Sequence, residues 1–170
     1  MEKKTNTLKK ALTGIILSVI LIVIDQVTKL MAIHGLMNQQ PFVIWDGVFE
    51  LHYLENRGAA FGILQGKKIF FVFFTLVVLC MIAYLYLKRI PDEKKFRLMD
   101  GICILFFAGA LGNFIDRVFR NYVVDFFYFK LIDFPVFNVA DIYVTVAAFA
   151  MIILGLFYYK EEDYNKIFHD

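Results

Sequence analysis

Residues 69–87 of the chain read IFFVFFTLVVLCMIAYLYL, a stretch without a charged side chain. A helix that crosses the ~30 Å hydrocarbon core of a bilayer needs about 20 apolar residues, and this stretch has that length. A second uncharged stretch runs from Ile142 to Tyr159, near the end of the chain. Both segments predict transmembrane helices, and with them a membrane protein.

Two further apolar segments are interrupted by charge. The first contains Asp25 and Lys29, and the second contains Asp116 and Arg117. Of the 170 residues, 60% are hydrophobic and 18% aromatic, and the mean hydropathy is +0.64, which is typical of membrane proteins. We predict an all-α membrane protein, one integral domain over residues 1–170, with four transmembrane helices at about residues 11–33, 69–87, 99–119 and 141–159.

Lysine and arginine are distributed unevenly between the segments that flank these helices. They concentrate before the first helix, between the second and third, and after the fourth, at Lys3, Lys4, Lys9, Lys10, Lys88, Arg89, Lys94, Lys95, Arg97, Lys160 and Lys166. Since cytoplasmic loops are rich in Lys and Arg, we expect both termini in the cytoplasm and outer loops at about residues 34–68 and 120–140. The first segment also resembles a signal peptide, but it is long and lacks a convincing cleavage site, so we expect a retained anchor.

The two outer loops have patterns of their own. From Gly47 to Leu54 apolar and polar side chains alternate, as in a half-exposed strand, and residues 55–62, ENRGAAFG, permit a tight turn. We therefore expect a small β-rich extracytoplasmic platform in the first outer loop. The second outer loop is rich in Phe and Tyr between residues 126 and 137, so we expect it to enter the membrane interface or to cover the site.

Polar side chains within the predicted helices gather near the outer surface. Residues three or four apart share a helix face, and this spacing relates Asp25 to Lys29 and relates Asn113 to Asp116 and Arg117. A carboxylate in the hydrocarbon region is costly, so such residues mark functional sites by default. Together with Asp141, which opens the fourth predicted helix, these residues predict one polar pocket near the outer surface.

These motifs resemble one family over the whole chain, the lipoprotein signal peptidases or signal peptidases II, which are aspartic proteases of the bacterial inner membrane. The matching segments are residues 25–29 (DQVTK), 56–62 (NRGAAFG), 112–117 (GNFIDR), 124–126 (VDF) and 137–141 (FNVAD). One departure is Ala108, where many relatives have a glycine before Gly109. We expect Gly109 and Gly112 to form a close helix-packing face.

The resemblance implies that Asp125 and Asp141 are the catalytic dyad. It implies supporting roles, in substrate binding or in holding the dyad, for Asn56, Asn113, Arg117, Asn138, Asp25 and Lys29. Two close carboxylates that share one proton can supply the base and the acid for peptide hydrolysis. Which of the two is protonated remains open at this point.

The resemblance also implies the partners. Family substrates are prolipoproteins, cut just before a diacylglyceryl-modified cysteine, which favours a groove that opens sideways between the helices. It implies a multi-pass protein of the bacterial cytoplasmic membrane with the site near the extracytoplasmic face. We expect no cofactor, no metal and no nucleic acid, and a monomer whose partners are prolipoproteins and membrane lipids.

Structural roles are an alternative for several of these residues. Asp141 could be a helix N-cap, and Asp25 with Lys29 could be an ion pair that only makes the first helix insertable. Arg117 could reach lipid phosphates at the interface. Asp116 is expected to pair structurally with a neighbour.

Two other functions are also compatible with intramembrane charge. A small transporter could relay protons or ions through such residues, although the chain has no obvious internal repeat. A metal-dependent hydrolase could use the aspartates as oxygen ligands, although no His-Glu-x-x-His element is present in the sequence.

Overall fold

A computed structural model describes residues 2–58 and 68–169 of the chain. Its helices are α1 (Glu2–Leu36), α2 (Lys68–Tyr84), α3 (Arg97–Phe119), α4 (Val139–Phe157) and α5 (Glu161–Phe168). Its strands are β1 (Phe42–Trp45), β2 (Phe49–Asn56) and β3 (Val123–Tyr128). A π-helical turn, Leu85–Arg89, continues α2, and 3₁₀ turns form at Lys94–Phe96 and Lys130–Ile132. Residues 59–62 of the motif NRGAAFG lie outside the described residues.

Four helices within the described ranges are long and apolar enough to cross a membrane, namely Thr7–Leu36, Ile69–Arg89, Lys94–Phe119 and Val139–Phe157. The prediction of an all-α membrane protein with four such helices is therefore confirmed. Their ends differ from the predicted bounds. Helix α1 extends beyond residues 11–33 in both directions, since no proline interrupts it. Helix α4 begins at Val139 because Asn138 caps it, and it ends at Phe157, after which Tyr159 stacks on Phe96.

Helix α3 lies between the other membrane helices and contacts α1, α2 and α4. Glycines allow its closest approaches. A Cβ atom at Gly109 would lie 2.6 Å from the carbonyl oxygen of Ala140, and a Cβ atom at Gly112 would lie 2.6 Å from Oδ2 of Asp25. The close-packing face predicted for these two glycines is confirmed, and it brings α1 and α4 onto α3.

The outer loops form one antiparallel sheet with the strand order β1-β2-β3. The β-rich platform predicted for the first outer loop is confirmed as β1 and β2, and the structure adds a third strand, β3, from the second outer loop. The register pairs Leu54 with Asp125 and Asn56 with Val123. The main chain of Phe137 also bonds to that of Phe127. The sheet thus carries Asn56 and Asp125 to the end of the helix bundle where α4 begins.

Burial along β2 follows the predicted alternation only in part. Glu50, expected on a half-exposed face, is 3% exposed. Its carboxylate accepts a hydrogen bond of 2.6 Å from Lys130 and lies 2.8 Å from Nε2 of His52. The hydrogen bond from Lys130, with that from His52, holds the pKa of Glu50 below its usual value. Through these contacts the buried Glu50 connects β2 to the turn that follows β3.

Candidate active site

Asp125 lies in the middle of β3, and its side chain is 1% exposed. Both of its carboxylate oxygens accept hydrogen bonds from amide side chains. Oδ2 accepts from Asn56 at 2.9 Å, and Oδ1 accepts from Asn138 at 2.6 Å. Burial, with the nearby charge of Asp141, raises the pKa of Asp125 to about 7. A carboxyl group with such a pKa can hold a proton near neutral pH.

Asp141 lies in the first turn of α4, where it forms a capping box with Asn138. The backbone N–H of Asn138 donates to Oδ2 of Asp141 at 3.1 Å, and the backbone N–H of Asp141 donates to Oδ1 of Asn138 at 3.1 Å. Oδ1 of Asp141 accepts from Nδ2 of Asn113 at 2.8 Å. Asp141 is therefore a capping residue at position N3, where a carboxylate also interacts favourably with the helix dipole.

Asn138 connects the two aspartates. Its Oδ1 is occupied by the backbone N–H of Asp141, so its Nδ2 is turned toward acceptors. That nitrogen donates to Oδ1 of Asp125 at 2.6 Å and to Oδ1 of Asn113 at 3.1 Å. An amide nitrogen has two hydrogens, and both are used here. The fully buried Asn138 thus holds the carboxylate of Asp125 through its side chain and the carboxylate of Asp141 through its backbone N–H.

A buried ionic cluster lies directly behind this amide layer. Lys29, Asp25 and Asp116 are each 0% exposed. The ammonium group of Lys29 lies 2.9 Å from Oδ2 of Asp25 and 3.1 Å from Oδ2 of Asp116, and it donates to Oδ1 of Asn113 at 2.8 Å. A lysine has three donor hydrogens, and each has an acceptor. The predicted pair Asp25–Lys29 exists, and it also orients Asn113 toward Asp141.

The two acids of this cluster also hold the backbone beside each candidate catalytic residue. Oδ2 of Asp116 accepts from the backbone N–H of Val124 at 3.1 Å, and Oδ1 of Asp25 accepts from that of Ala140 at 3.0 Å. Val124 immediately precedes Asp125, and Ala140 immediately precedes Asp141. The expectation that Asp116 pairs structurally is confirmed, and the pairing sets the position of β3.

Two residues of this network were not predicted from the sequence. Nε2 of Gln26 contacts Asp25 at 3.1 Å and Asp116 at 3.2 Å, and Arg120 donates to both Asp116 and Oε1 of Gln26. A polar amide beside Asp25 in an apolar helix, and an arginine four residues after Asp116, were the available signals. Both residues complete the hydrogen bonding of buried carboxylates, which is costly to leave unmade.

Arg117 spans the gap between α3 and the end of β2. Its guanidinium donates to the carbonyl oxygens of Asn113 and Gly58, at 3.3 Å each, and lies 5.1 Å from the ring centre of Phe71. These contacts hold it within the protein, so the alternative in which it reaches lipid phosphates is not the arrangement observed. All eight residues predicted for the site belong to this one connected network.

A cavity of about 650 Å³ opens in front of the two aspartates. Its polar lining comes from the two acids and from residues of β2, the segment after β2, and α3, namely Asp125, Asp141, Glu55, Asn56, Arg57, Asn113 and Arg117. The remaining walls are mostly apolar and come from α4 and the end of the second outer loop, at Phe134, Pro135, Val136, Phe137, Ile142, Val144 and Val146. Within the described residues, no group of three or more His, Cys, Asp or Glu could hold a metal ion.

Comparisons with known proteins identify the family of the chain. Residues 17–157 match the family model described as signal peptidase (SPase) II. A protein of Clostridium tetani named lipoprotein signal peptidase is 42% identical over 160 residues, covering 91% of this chain and 98% of its own length. A second protein of that name, from Streptococcus thermophilus, is 42% identical over 143 residues and covers 84% and 90%.

A solved structure shares the fold. It is a bacterial membrane enzyme determined by the in meso method at 1.9 Å resolution, 36% identical in sequence, with a TM-score of 0.75 over 86% of this chain and 94% of that one. The family model spans most of the chain, and the relatives cover it almost completely. On these grounds the chain belongs to the signal peptidase II family.

Proposed function

We propose that Asp125 and Asp141 are the catalytic pair with which this member of the signal peptidase II family removes signal peptides from prolipoproteins. The observation that carries the proposal is the position of Asn138 between the two acids at the wall of one cavity: its side-chain amide donates to the carboxylate of Asp125, and its backbone N–H donates to the carboxylate of Asp141. Peptide hydrolysis needs a base that activates water and an acid that protonates the carbonyl oxygen or the leaving nitrogen. Two coupled carboxyl groups supply both.

The environments of the two acids support an assignment of the proton. Asp141 lies in the first turn of α4, where it accepts a backbone N–H and is favoured as the anion by the helix dipole. Asp125 is more deeply buried, and its raised pKa favours the protonated form. We assign Asp141 as the base that takes a proton from water, and Asp125 as the acid that donates a proton to the scissile carbonyl.

The remaining steps return both acids to their starting protonation states. The activated water adds to the carbonyl carbon, and the proton of Asp125 passes to the carbonyl oxygen. Collapse of the tetrahedral intermediate breaks the C–N bond. The proton collected by Asp141 passes to the departing amine, and a hydroxyl proton of the intermediate returns to Asp125 as the carboxylic acid product forms. The positions of Asn56, Asn113 and Arg117 at the cavity wall suit them to bind the substrate backbone or to hold the acids.

The apolar walls of the cavity support a lipid-modified substrate. Ile142 and Val146 of α4 line the cavity and are also 38% and 50% exposed. This continuity lets acyl chains on the substrate cysteine remain in the bilayer while the peptide reaches the acids. We propose that the substrate is a prolipoprotein with a diacylglyceryl-modified cysteine, cut just before that cysteine.

The distribution of charge along the chain also bears on the membrane location and the orientation of the protein. The distribution of Lys and Arg supports a bacterial cytoplasmic membrane protein with both termini in the cytoplasm and the aspartates near the extracytoplasmic face. We further propose that it acts as a monomer and as a single domain over residues 1–170. No contact among the described residues favours transport, since Asp25, Lys29 and Asp116 bond to one another instead of lining a path.

The substrate assignment is tested with purified protein in detergent and two matched prolipoproteins, one diacylglyceryl-modified and one with the free cysteine. We expect cleavage of the modified form, with a product mass that begins at the lipidated cysteine, and no loss of rate with chelator. Cleavage of both forms at equal rates would contradict the lipid requirement. A loss of activity with chelator would indicate that the aspartates act as ligands of a metal ion.

A further inference from the structure

The end of the bundle opposite the aspartates contains a π-helical turn, Leu85–Arg89, at the end of α2. Such turns are uncommon and occur often at functional sites. Tyr86 lies within it, is 9% exposed, and donates a hydrogen bond of 2.8 Å to the carbonyl oxygen of Lys10 on α1. The absence of a side chain at Gly14 makes room for the ring, because a Cβ atom there would lie 2.7 Å from it.

Two cavities meet at Tyr86. The first is an apolar cavity of about 200 Å³ between α1, α2 and α3, lined among others by Ser18, Ala83 and Phe107. Its lining belongs to the membrane-spanning parts of all three helices. The second, of about 480 Å³, lies at the ends of α1 and α3, and both cavities share Tyr86 and Ile104 in their walls. An apolar space inside the membrane thus adjoins a polar space at the interface.

The polar cavity has a net positive lining. Lys9, Lys10 and Arg97 line it together with Asp92 and Asp100. Lys10 lies 2.8 Å from Asp100 and also donates to the carbonyl oxygen of Ile90 at 2.9 Å, so the charge of Lys10 is paired within the protein. Lys9 and Arg97 form no ion pair with the residues whose side chains are described, and they stand opposite one remaining acid, Asp92.

We propose that the two cavities form one binding site for an anionic glycerophospholipid. Lys9 and Arg97 bind the phosphodiester, Asp92 accepts a hydrogen bond from a headgroup hydroxyl, and one acyl chain enters the apolar cavity past Tyr86. Basic pockets between transmembrane helices on the cytoplasmic side are a known mode of anionic lipid recognition. In the orientation proposed above, the lipid belongs to the inner leaflet and joins α1, α2 and α3 at the end away from the aspartates.

The site is tested by photo-crosslinking in bilayers of phosphatidylcholine that contain a small fraction of a labelled lipid. The probe is phosphatidylglycerol with a diazirine in the middle of one acyl chain, and the labelled peptides are identified by mass spectrometry. We expect labelling of residues 11–22 and 103–111 above that of the lipid-facing residues 146–157 of α4. The same probe with a phosphocholine headgroup should label these segments weakly.

Three variants separate the site from general attraction to the membrane. Each cation near the surface contributes about fivefold in affinity, so Lys9→Ala with Arg97→Ala should reduce labelling of the cavity about 25-fold. The control, Lys88→Ala with Lys94→Ala, removes the same charge from the same end of the bundle outside both cavities and should change it less than about twofold. Ala83→Phe, which fills the apolar cavity while keeping both cations, should also abolish labelling there.

Each variant is also assayed for prolipoprotein cleavage, which reports that the fold is intact, since none of these residues contacts the aspartates. Equal labelling by the two headgroups would overturn the proposal. So would labelling spread evenly over the lipid-facing helices, or an equal loss in the Lys88/Lys94 control.

Discussion

Asn138 is the residue on which the geometry of the site depends most. Its side chain caps α4 through Oδ1 and holds Asp125 and Asn113 through Nδ2. These two tasks use different atoms of one amide group. A substitution can therefore remove one and keep the other.

Asn138→Ser is the substitution that separates them. Serine is as good an N-cap as asparagine, so the cap is kept, but the buried acceptors on Asp125 and Asn113 lose their donor, which should lower the stability by about 1–3 kcal/mol. The donor to Asp125 is lost, and removal of one such preorganised hydrogen bond typically reduces kcat by about 10²–10³. Asn138→Ala should show the same loss of rate, and its free energy of unfolding should be about 1 kcal/mol lower than that of Asn138→Ser, because alanine also removes the cap. A serine variant with unimpaired cleavage would contradict a role for Asn138 in holding the acid.

The protonation of Asp125 makes the protein sensitive to pH near neutrality. Burial and the charge of Asp141 raise its pKa to about 7, whereas an aspartate in an unfolded chain has a pKa of about 3.9. The folded protein therefore binds this proton more tightly than the unfolded one. The stabilisation is complete below the unfolded pKa and is lost as the pH rises through about 7.

Two measurements test the predicted direction of this pH dependence. The melting temperature of the wild type should fall between about pH 4 and 7 more than that of Asp125→Asn, which has no carboxyl group to titrate. Cleavage by the wild type should decline above about pH 7 as the acid loses its proton. Asp46→Asn, an exposed acid on the same outer surface, should follow the wild type in both. Stability profiles of the wild type and Asp125→Asn that run parallel would contradict the assignment.

At the scale of elements, the helices were predictable and the third strand was not. Uncharged stretches of sufficient length determine a membrane helix locally, so residues 69–87 were sufficient for α2. Strand β3 depends on pairing with β2, and the paired residues Asn56 and Val123 are far apart in sequence. The aromatic residues around Asp125 indicated an interfacial loop, and only the pairing makes that segment a strand.

The same distinction applies to the site. Motif spacing indicated which polar residues belong together, and all of them meet in the structure. The contacts of Asp116 with the backbone of Val124 and of Gln26 with Asp116 arise from the way α1, α3 and β3 pack. Sequence spacing along one helix does not contain that information.

Gly112 tests whether the approach of α1 to α3 sets this arrangement. A Cβ atom at Gly112 would meet Oδ2 of Asp25 at 2.6 Å, whereas a Cβ atom at Gly101, on the same helix, would meet nothing within 4 Å. Gly112→Ala should displace Asp25, and overpacking of this kind costs about 1–3 kcal/mol, with a matching loss of cleavage. Gly101→Ala should be neutral or up to about 1 kcal/mol stabilising, because alanine favours the helix. Equal melting temperatures and rates for the two variants would contradict the account.

At the scale of the whole molecule, polar groups are divided between the two ends of the bundle. One end carries the sheet, the ionic cluster and the aspartates, and the other carries most of the lysines and arginines. The apolar middle sections of the helices separate them. Under the proposed function, this division puts the aspartates near one membrane surface, and the substrate must then present its cleavage site on that side.

Labelling of single cysteines checks the proposed orientation. In a background of Cys80→Ala and Cys103→Ala, a membrane-impermeant maleimide should react with Asp46→Cys in intact cells. His169→Cys should react only after permeabilisation, because the C-terminus is expected in the cytoplasm. The cysteine-free background protein serves as the unlabelled control. The reverse pattern would place the aspartates on the cytoplasmic side.

The most direct test of the central claim is the cleavage rate of a diacylglyceryl-modified prolipoprotein by Asp125→Asn, Asp141→Asn and the double variant, with Asp46→Asn as the matched control. The two acids work as a unit, so each single variant should lose roughly 10²–10⁴ in rate, the double variant should lose little more, and Asp46→Asn should cleave like the wild type. A folded single variant that retains near wild-type cleavage would show that Asp125 and Asp141 are not the catalytic pair.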